Sequence, residues 1–462
     1  MGVNQPAAAG SGQLNYFEIY SNYDKVEVVD YTGGIMELKY YESILDPSIR
    51  ATAMFADTGY RKDSEDGVAG FEKDDLNFTS GEKVHFKITD GYGVELEFKD
   101  EKQFRIHGDP GLTVESTNKV IFSIDMHSQE CIINDCADSY VYGRFDGEIP
   151  LNAETILKEV LKTKKKIIID NGLNSYNFLG HAEKVFHLLP NLAKKTVPDL
   201  PDAFGKLAGF LFYETYYDDK IKGGYNFRSI DKLFMQEPKR NFIFNNLVDL
   251  PPGYDAKILD YSFIGAVNLD KLSQTGAMTR TRKQEFNRMK NTYNENSRES
   301  LDQYNVDNNG GKERPKLADG PSKLEVGDEK KPLQECVTRH FNGKMSDDGI
   351  QPAGFTLDKQ IPLSQKPNFD LDEILRQSAM RYNQLFSHKL SIAIAGDFEL
   401  RAGDLVFIDL PEISGKTNRV VSQKISGIYM IADLCNRLTK NGCYTRLNLV
   451  RDSIYRKPAK MW

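Results

Sequence analysis

The stretch 83–99 restricts the fold more than any other part of the chain. Val84, Phe86 and Ile88 alternate with Lys83, His85 and Lys87. A polar run, Thr89-Asp90-Gly91-Tyr92-Gly93, intervenes, and Val94, Leu96 and Phe98 then alternate with Glu95, Glu97 and Lys99. Successive side chains of a strand point to opposite faces, so the pattern reads as a hairpin with one apolar face. Ile49, Ala51, Ala53 and Phe55 repeat the pattern, and residues 121–126 (IFSIDM) add another strand. Period two dominates from about residue 25 to residue 149, with Gly-rich turns between short strands, which reads as a barrel or sandwich. A stock of 26 Phe and 23 Tyr against one Trp leans the same way. Residues 1–24 show little pattern and read as an arm.

At Pro150 the period changes. Asn152 is placed to cap a helix with Ile156, Leu157, Val160 and Leu161 on one stripe. Lys164-Lys165-Lys166 and the apolar Ile167-Ile168-Ile169 follow. Residues 181–195 and 203–212 carry further helical patterns, and 210–234 reads as strand, turn at Gly223-Gly224, strand. Residues 150–236 therefore form a mixed α/β domain. Residues 237–272 return to β pattern. From 273 the composition shifts, and 291–331 is too polar to bury much surface, so it reads as a long loop or partly disordered insertion. Asp370, with Glu373 three residues on, opens a helix that lines up Leu371, Ile374, Leu375, Ser378, Tyr382, Leu385 and Phe386. Strands are expected at 390–395, 405–410, 425–434 and 444–450. The fold class is α+β, predominantly β.

Composition narrows the function. Lys plus Arg is 60 and Asp plus Glu is 67, a net charge of −7. That excludes a broadly basic nucleic-acid binder and leaves a local basic patch open. Residues 207–217 are the most apolar stretch, too short to span a membrane and interrupted by Glu214. The first 13 residues lack the basic and apolar regions of a secretory signal. Five cysteines without such a signal argue for free thiols in a reducing compartment. Asn441-Gly442 reads as a two-residue hairpin turn, which puts Cys435 opposite Asn448 and roughly 16 Å from Cys443, beyond the reach of a disulfide.

Catalytic and ligand motifs fail one by one. Gly415-Lys416-Thr417 has the tail of a phosphate loop, but position 410 is Leu where the first glycine belongs. Gly91-Tyr92-Gly93 lacks its third glycine, the chain having Leu96. His181 and His187 flank Glu183 six residues apart, whereas a zinc helix needs four, so both read as surface or packing histidines. The run Asn305 to Gly310 resembles the start of a calcium loop whose twelfth position, Lys316, would repel the ion. Cys131 and Cys136 lack a second pair at zinc spacing. Asp218-Asp219 and Asp347-Asp348 read as solvated turns. Lys164–Lys166 reads as a solvated surface run. No catalytic, cofactor-binding or metal-binding residue is assigned, and no cofactor is expected.

Three segments resemble the central baseplate hub proteins of contractile-tailed phages, relatives of the hub part of type VI secretion spikes. Residues 41–52 (YESILDPSIRAT) resemble the first-barrel strand region, 208–234 the lateral domain, and 426–434 with 444–453 the closing hairpin with its SGxYxI…TxLxLxR pattern. Together they cover about half the chain, in family order. The resemblance implies a homotrimer whose six tube-like β-barrel domains adapt a hexameric tail tube to a trimeric spike. It implies an arm at 1–24, a first barrel at 25–149, a lateral domain at 150–236, and a discontinuous second barrel at 237–272 plus 387–456. An insertion with a flexible loop and a helix at 273–386 and a tail at 457–462 complete the division. The chain ends soon after the closing hairpin, so the spike and any cell-wall lysozyme are expected on other chains.

The function expected is thus a structural, non-enzymatic baseplate hub that lets tape measure and DNA pass. Its expected partners are the spike, tail tube, tape measure and baseplate wedge proteins, without specific nucleic-acid binding or membrane insertion. It is expected in the virion tail, after assembly in the host cytoplasm. Two alternatives stand beside it. A tail hydrolase needs a paired carboxylate or zinc motif, and a peripheral receptor- or glycan-binding module needs exposed Trp platforms. The chain's one Trp is terminal.

Overall fold

The computed structural model describes residues 10–22, 28–57, 80–116, 119–199, 209–218, 223–245, 249–264, 388–411, 422 and 425–451, the backbone of strands between 277 and 347, and isolated positions between 374 and 386. The N-terminal block supplies β1 (Gly12–Tyr20), β2 (Val28–Asp30), β3 (Ile35–Ser43), β4 (Arg50–Asp57), β5 (Lys83–Asp90), β6 (Glu95–Phe98), β7 (Phe104–Ile106), β8 (Gly111–Ser116) and β9 (Lys119–Ser128). A lateral layer follows with α1 (Gln129–Asp135), β10 (Tyr140–Phe145), α2 (Ile149–Thr155, running on as a π-turn over Ile156–Val160) and β11 (Ile167–Ile169). It continues with β12 (Phe178–Lys184), α3 (Val185–Ala193), β13 (Phe210–Thr215), β14 (Gly224–Ser229) and α4 (Ile230–Leu233). Then come β15 (Arg240–Ile243), β16 (Ala256–Lys257), β17 (Asp260–Phe263), β18 (Ala277–Asn287), β19 (Thr292–Asp302), β20 (Lys323–Val326), β21 (Glu329–Pro332) and β22 (His340–Asp347). The last strands are β23 (His388–Ala395), β24 (Leu405–Asp409), β25 (Gly427–Thr439) and β26 (Gly442–Arg451). The protein is α+β and predominantly β.

The alternation reads through directly. In the first hairpin Phe86 faces Phe98 and Ile88 faces Leu96, and all four are buried. Ala51, Ala53 and Phe55 of β4 and Phe122, Ile124 and Met126 of β9 join them on the same inner side.

The two β blocks are hydrogen-bonded into one 16-stranded sheet. Its seam is β25 against β3, antiparallel from Asp433 opposite Ser43 to Thr439 opposite Glu37. One core runs under both blocks, from Phe17, Phe55 and Phe98 to Ile392, Ile431 and Leu447. The two blocks, expected as two tube-like β-barrel domains, are joined along this seam. At one end Cys443 N donates to Gly10 O at 2.5 Å, bringing the start of β1 to the tip of the β25–β26 hairpin. At the other, the strand through 256–263 changes partner. Ile258 N bonds Ile243 O beside β15, and Leu259 N bonds Ala393 O beside β23. Among the described residues no uninterrupted ladder closes either block.

Several expectations need correction. Residues 12–20 are not part of an arm: β1 pairs with β5, and Phe17 and Ile19 are fully buried. A bulge between Leu14 and Tyr16 breaks the period of two, which hid the strand. The last hairpin turns over Lys440-Asn441, with Thr439 opposite Gly442 and Cys435 opposite Arg446. The Thr439 hydroxyl accepts from Asn441 N and donates to Gly442 O, closing the turn one residue earlier than expected. The sulfurs of Cys131, Cys136, Cys435 and Cys443 are all free; Cys336 lies outside the described residues.

In the lateral layer, Asn152 lies inside α2 and is not its cap. The helix starts at Ile149 with Pro150 in its first turn, where a missing N–H costs nothing. Residues 181–184 belong to strand β12, and the helix runs only over Val185–Ala193. Residues 210–212, where the helical pattern of 203–212 overlaps the strand–turn–strand reading of 210–234, open β13 as that second reading expects; 203–208 lie outside the described residues. Within 291–331, expected as loop, the backbone forms β19, β20 and β21. Polarity rules out a large core there, but a ladder needs only backbone donors and acceptors, and β18 pairs β19 along its whole length.

Candidate functional site

The three resembling segments converge. Ile44 from the first, Leu211, Tyr213, Ile230 and Leu233 from the second, and Ile428, Met430, Ala432 and Val450 from the third share one buried cluster. Leu385 joins them from a helix whose positions 374, 378, 381 and 385 are all buried. Gly403 sits here with φ +88, and a Cβ on it would lie 2.3 Å from the Tyr213 hydroxyl, so glycine alone fits.

Two buried carboxylates flank this cluster. Glu42, at the end of β3, is 2% exposed. Its Oε1 accepts from the Tyr40 hydroxyl at 2.7 Å and from Tyr216 N at 3.0 Å, and its Oε2 from Ala402 N at 2.9 Å. Arg401 Nε lies 3.7 Å from Glu42 Oε1, and the guanidinium sits 5.0 Å from the centroid of the Tyr216 ring. The Tyr216 hydroxyl in turn accepts from Glu97 N at 3.2 Å. Burial pushes the Glu42 carboxyl above its ordinary value, against the opposing pull of Arg401 and the three donors.

Glu214, two residues before Tyr216, is 1% exposed. Its Oε2 accepts from the Ser128 hydroxyl at 2.7 Å and Ile49 N at 3.1 Å. Its Oε1 lies 2.5 Å from Lys165 Nζ, which is also 2.5 Å from Glu130 Oε2. Burial raises the Glu214 carboxyl, with Lys165 opposing. For Lys165, burial acts to lower the ammonium, but Glu214 and Glu130 outweigh it and hold it charged. The expectation that Lys164–Lys166 is a solvated run is thereby corrected: Lys165 is the buried centre of an ion cluster, while Lys164 stays exposed, 3.8 Å from Glu101.

A third buried pair anchors the helical positions 381 and 382. Arg381 donates from Nε and Nη2 to Asp231 Oδ1 at 3.0 and 2.6 Å, and the Tyr382 hydroxyl donates to Phe210 O. These groups form a clamp: the oxygens of Glu42 and Glu214 are already taken by donors from the N-terminal block, the lateral layer and the 401–404 turn.

The motifs weighed in the sequence behave otherwise. The Asp90 carboxylate accepts from Tyr92 N, Val94 N and Phe398 N, so the Gly91–Gly93 run is a structural turn. His187 Nδ1 lies 3.6 Å from Glu183 Oε2 at the surface, and His181 sits apart in β12. Residues 305–316 and 415–417, Asp219 and Asp348 lie outside the described residues. Among the described residues no group of three His, Cys, Asp or Glu side chains is arranged to hold a metal, and no helix is long and apolar enough to cross a membrane. Sequence reasoning missed Glu42, Glu214, Lys165, Arg381 and Arg401. A charged residue within an apolar run, as Glu214 is in FLFYETYY, was the one signal available.

No protein-family model and no curated protein matches the chain. Among solved structures it is similar to the 43 kDa tail protein of prophage MuSo2 from Shewanella oneidensis, at 11% identity and TM-score 0.48, over 96% of this chain and 99% of that one. It is also similar to a tail protein from Neisseria meningitidis, at 11% identity and TM-score 0.47, over 95% of this chain and 98% of that one. A third is the E. coli c3393 protein, a component of the type VI secretion system, at 8% identity and TM-score 0.40, over 92% of this chain and 76% of that one.

Proposed function

We propose that the chain is a structural subunit of a contractile phage tail, the baseplate hub, assembling as a closed trimer between tail tube and spike. The observation that supports this reading is the convergence itself. Segments 41–52, 208–234 and 426–453, which carry the resemblance to hub proteins, are far apart in sequence yet share one buried cluster, and the first two are also tied by two buried carboxylate clamps. A joint that welds a lateral layer to a continuous sheet suits a part that must transmit load without deforming. In this reading the tape measure and DNA pass through the ring, and spike, tube and wedge proteins bind its faces. Native mass spectrometry at assembly concentrations tests it: the expected mass is three times 52.4 kDa. Electron microscopy of the same sample should show a six-lobed ring. A strict monomer, alone and with its spike partner, would overturn the proposal.

A further inference from the structure

The outward face of the N-terminal block carries a row of basic side chains that, among the described residues, carboxylates leave largely unneutralised. Tyr41 of β3 stands opposite Arg50 of β4, Arg50 opposite His127 of β9, His127 opposite Arg105 of β7, and Arg105 opposite Lys83 of β5. With strands about 4.8 Å apart, the row from Arg50 to Lys83 spans roughly 14 Å. Its chain neighbours Ala51, Val84, Phe104 and Met126 point into the core, so the row points away from it. The His107 ring, two residues beyond Arg105, lies 4.8 Å from the His127 ring and widens the strip.

Like charges facing each other on neighbouring strands cost stability. Four other outward cations of this sheet do have carboxylate partners: Lys87 with Glu95 at 2.8 Å, Lys99 with Glu97 at 3.2 Å, Lys39 and Arg437 with Glu37 at 2.6 and 2.5 Å. In the row, Arg50 meets Asp46 only at 3.9 Å, between side chains about half exposed. The Arg50 guanidinium otherwise lies 5.1 Å from the centroid of the Tyr41 ring. Arg105 Nη1 donates to Gly81 O, a neutral acceptor. Nδ1 of His127 is buried with no hydrogen-bond partner. An arrangement that the folded chain carries at a cost, on a surface otherwise laced with ion pairs, is complementary to an anion from outside.

We propose that this strip, Arg50, His127, Arg105, Lys83 and His107, docks an acidic segment of a partner protein. A short run of carboxylates fits its length and needs only these few contacts. Nucleic acid fits less well. A duplex binder typically makes some 6–10 phosphate contacts, more than five side chains on a strip this short supply. The groups facing His127 are Arg50, Arg105 and His107 on the cationic side and Asp125 and Asp135 on the acidic side. Burial, with His107 and Arg50, holds the free His127 imidazole below its ordinary value; an acidic occupant opposes them and favours the imidazolium, so binding takes up protons and tightens as pH falls.

Fluorescence anisotropy of the full chain with a labelled Glu-rich decapeptide at low salt tests the proposal. The double variant Lys83→Gln/Arg105→Gln should weaken binding by about tenfold or more. Its melting temperature should not fall, because repulsion is relieved. Lys164→Gln, an exposed lysine outside the row, should leave binding unchanged, and wild-type affinity should rise as pH falls below the ordinary His value of about 6.5. Absence of binding, equal binding by wild type and double variant, or tighter binding of a duplex oligonucleotide of the same charge would overturn it.

Discussion

Lys165 Nζ and Glu214 Oε1 lie 2.5 Å apart with their side chains 2% and 1% exposed, deep between the N-terminal block and the lateral layer. A pair so placed contributes little by itself, because desolvating both ions offsets most of their attraction; what it does is forbid any packing that separates them. Lys165→Met removes the cation and strands Glu214 and Glu130 together in the interior. The expected loss is about 3–5 kcal/mol, read by urea unfolding. Replacing all three by Met, Gln and Gln should recover most of it, since no uncompensated charge is left. A triple variant as unstable as the single one would mean that the hydrogen bonds from Ser128 and Ile49 to Glu214, and not the charges, hold the layer in place.

Glu42 predicts a pH dependence. Its three donors, Tyr40 hydroxyl, Tyr216 N and Ala402 N, all require acceptors. Glu42→Gln turns one acceptor into an amide donor facing a donor, at an expected cost of about 1–3 kcal/mol. Burial raises the Glu42 carboxyl in the folded state, so the folded protein holds this proton more tightly than the unfolded chain does. Glu42's contribution is then fully present below the ordinary Glu value of about 4.3 and is lost as pH rises through the raised folded value. The difference in unfolding free energy between wild type and Glu42→Gln should shrink with rising pH across that window. A difference that grows instead would show that Arg401 and the donors outweigh burial.

The Cys443 side chain fills a slot between two glycines. A Cβ on Gly396 would lie 2.4 Å from Cys443 Sγ, and one on Gly12 would lie 2.4 Å from Cys443 Cβ. Gly396→Ala should therefore destabilise by about 1–3 kcal/mol, and Cys443→Ala in the same chain should restore much of it by removing the sulfur. Gly12→Ala should not be rescued, because alanine keeps the Cβ it meets. Burial also pushes the Cys443 thiol up to about 12. Thiol-reactive probes should thus label exposed Cys136 in the native protein and Cys443 only on unfolding.

How much of this was legible follows from the range of each interaction. Alternation at 83–99 and 49–55 was plain because a strand with one buried face writes a period of two into neighbouring residues. β1 was not, because its bulge at Leu14/Tyr16 puts the period out of phase. The buried helical positions 374, 378, 381 and 385 were plain from their stripe, yet Arg381 on that stripe gave no sign of its partner, Asp231, 150 residues away. Lys165 was read as solvated because a basic run ordinarily is. Only the fold brings Glu214, 49 residues on, to its ammonium. The clamp consists of contacts of this kind, and periodicity does not encode them.

The continuity of the sheet predicts that the blocks do not fold apart. β25 lends β3 its partner from Glu37 to Ser43, and the Ser43 hydroxyl donates to Asp433 Oδ1 at 2.6 Å across that seam. A fragment ending at residue 245 would keep Phe17, Tyr40, Phe86 and Phe98 but lose Ile392, Ile431, Leu434 and Leu447 from the same core, and would leave β3 as an unpaired edge. Such a fragment should aggregate or show strand content by far-UV circular dichroism without near-UV signal or a cooperative melt. Co-expression with a second fragment from 249 onward should restore both, because the missing ladder and core then return in trans. A cooperative melt by the first fragment alone would show that the N-terminal block is an independent barrel and that the β25–β3 seam is an interface between finished domains.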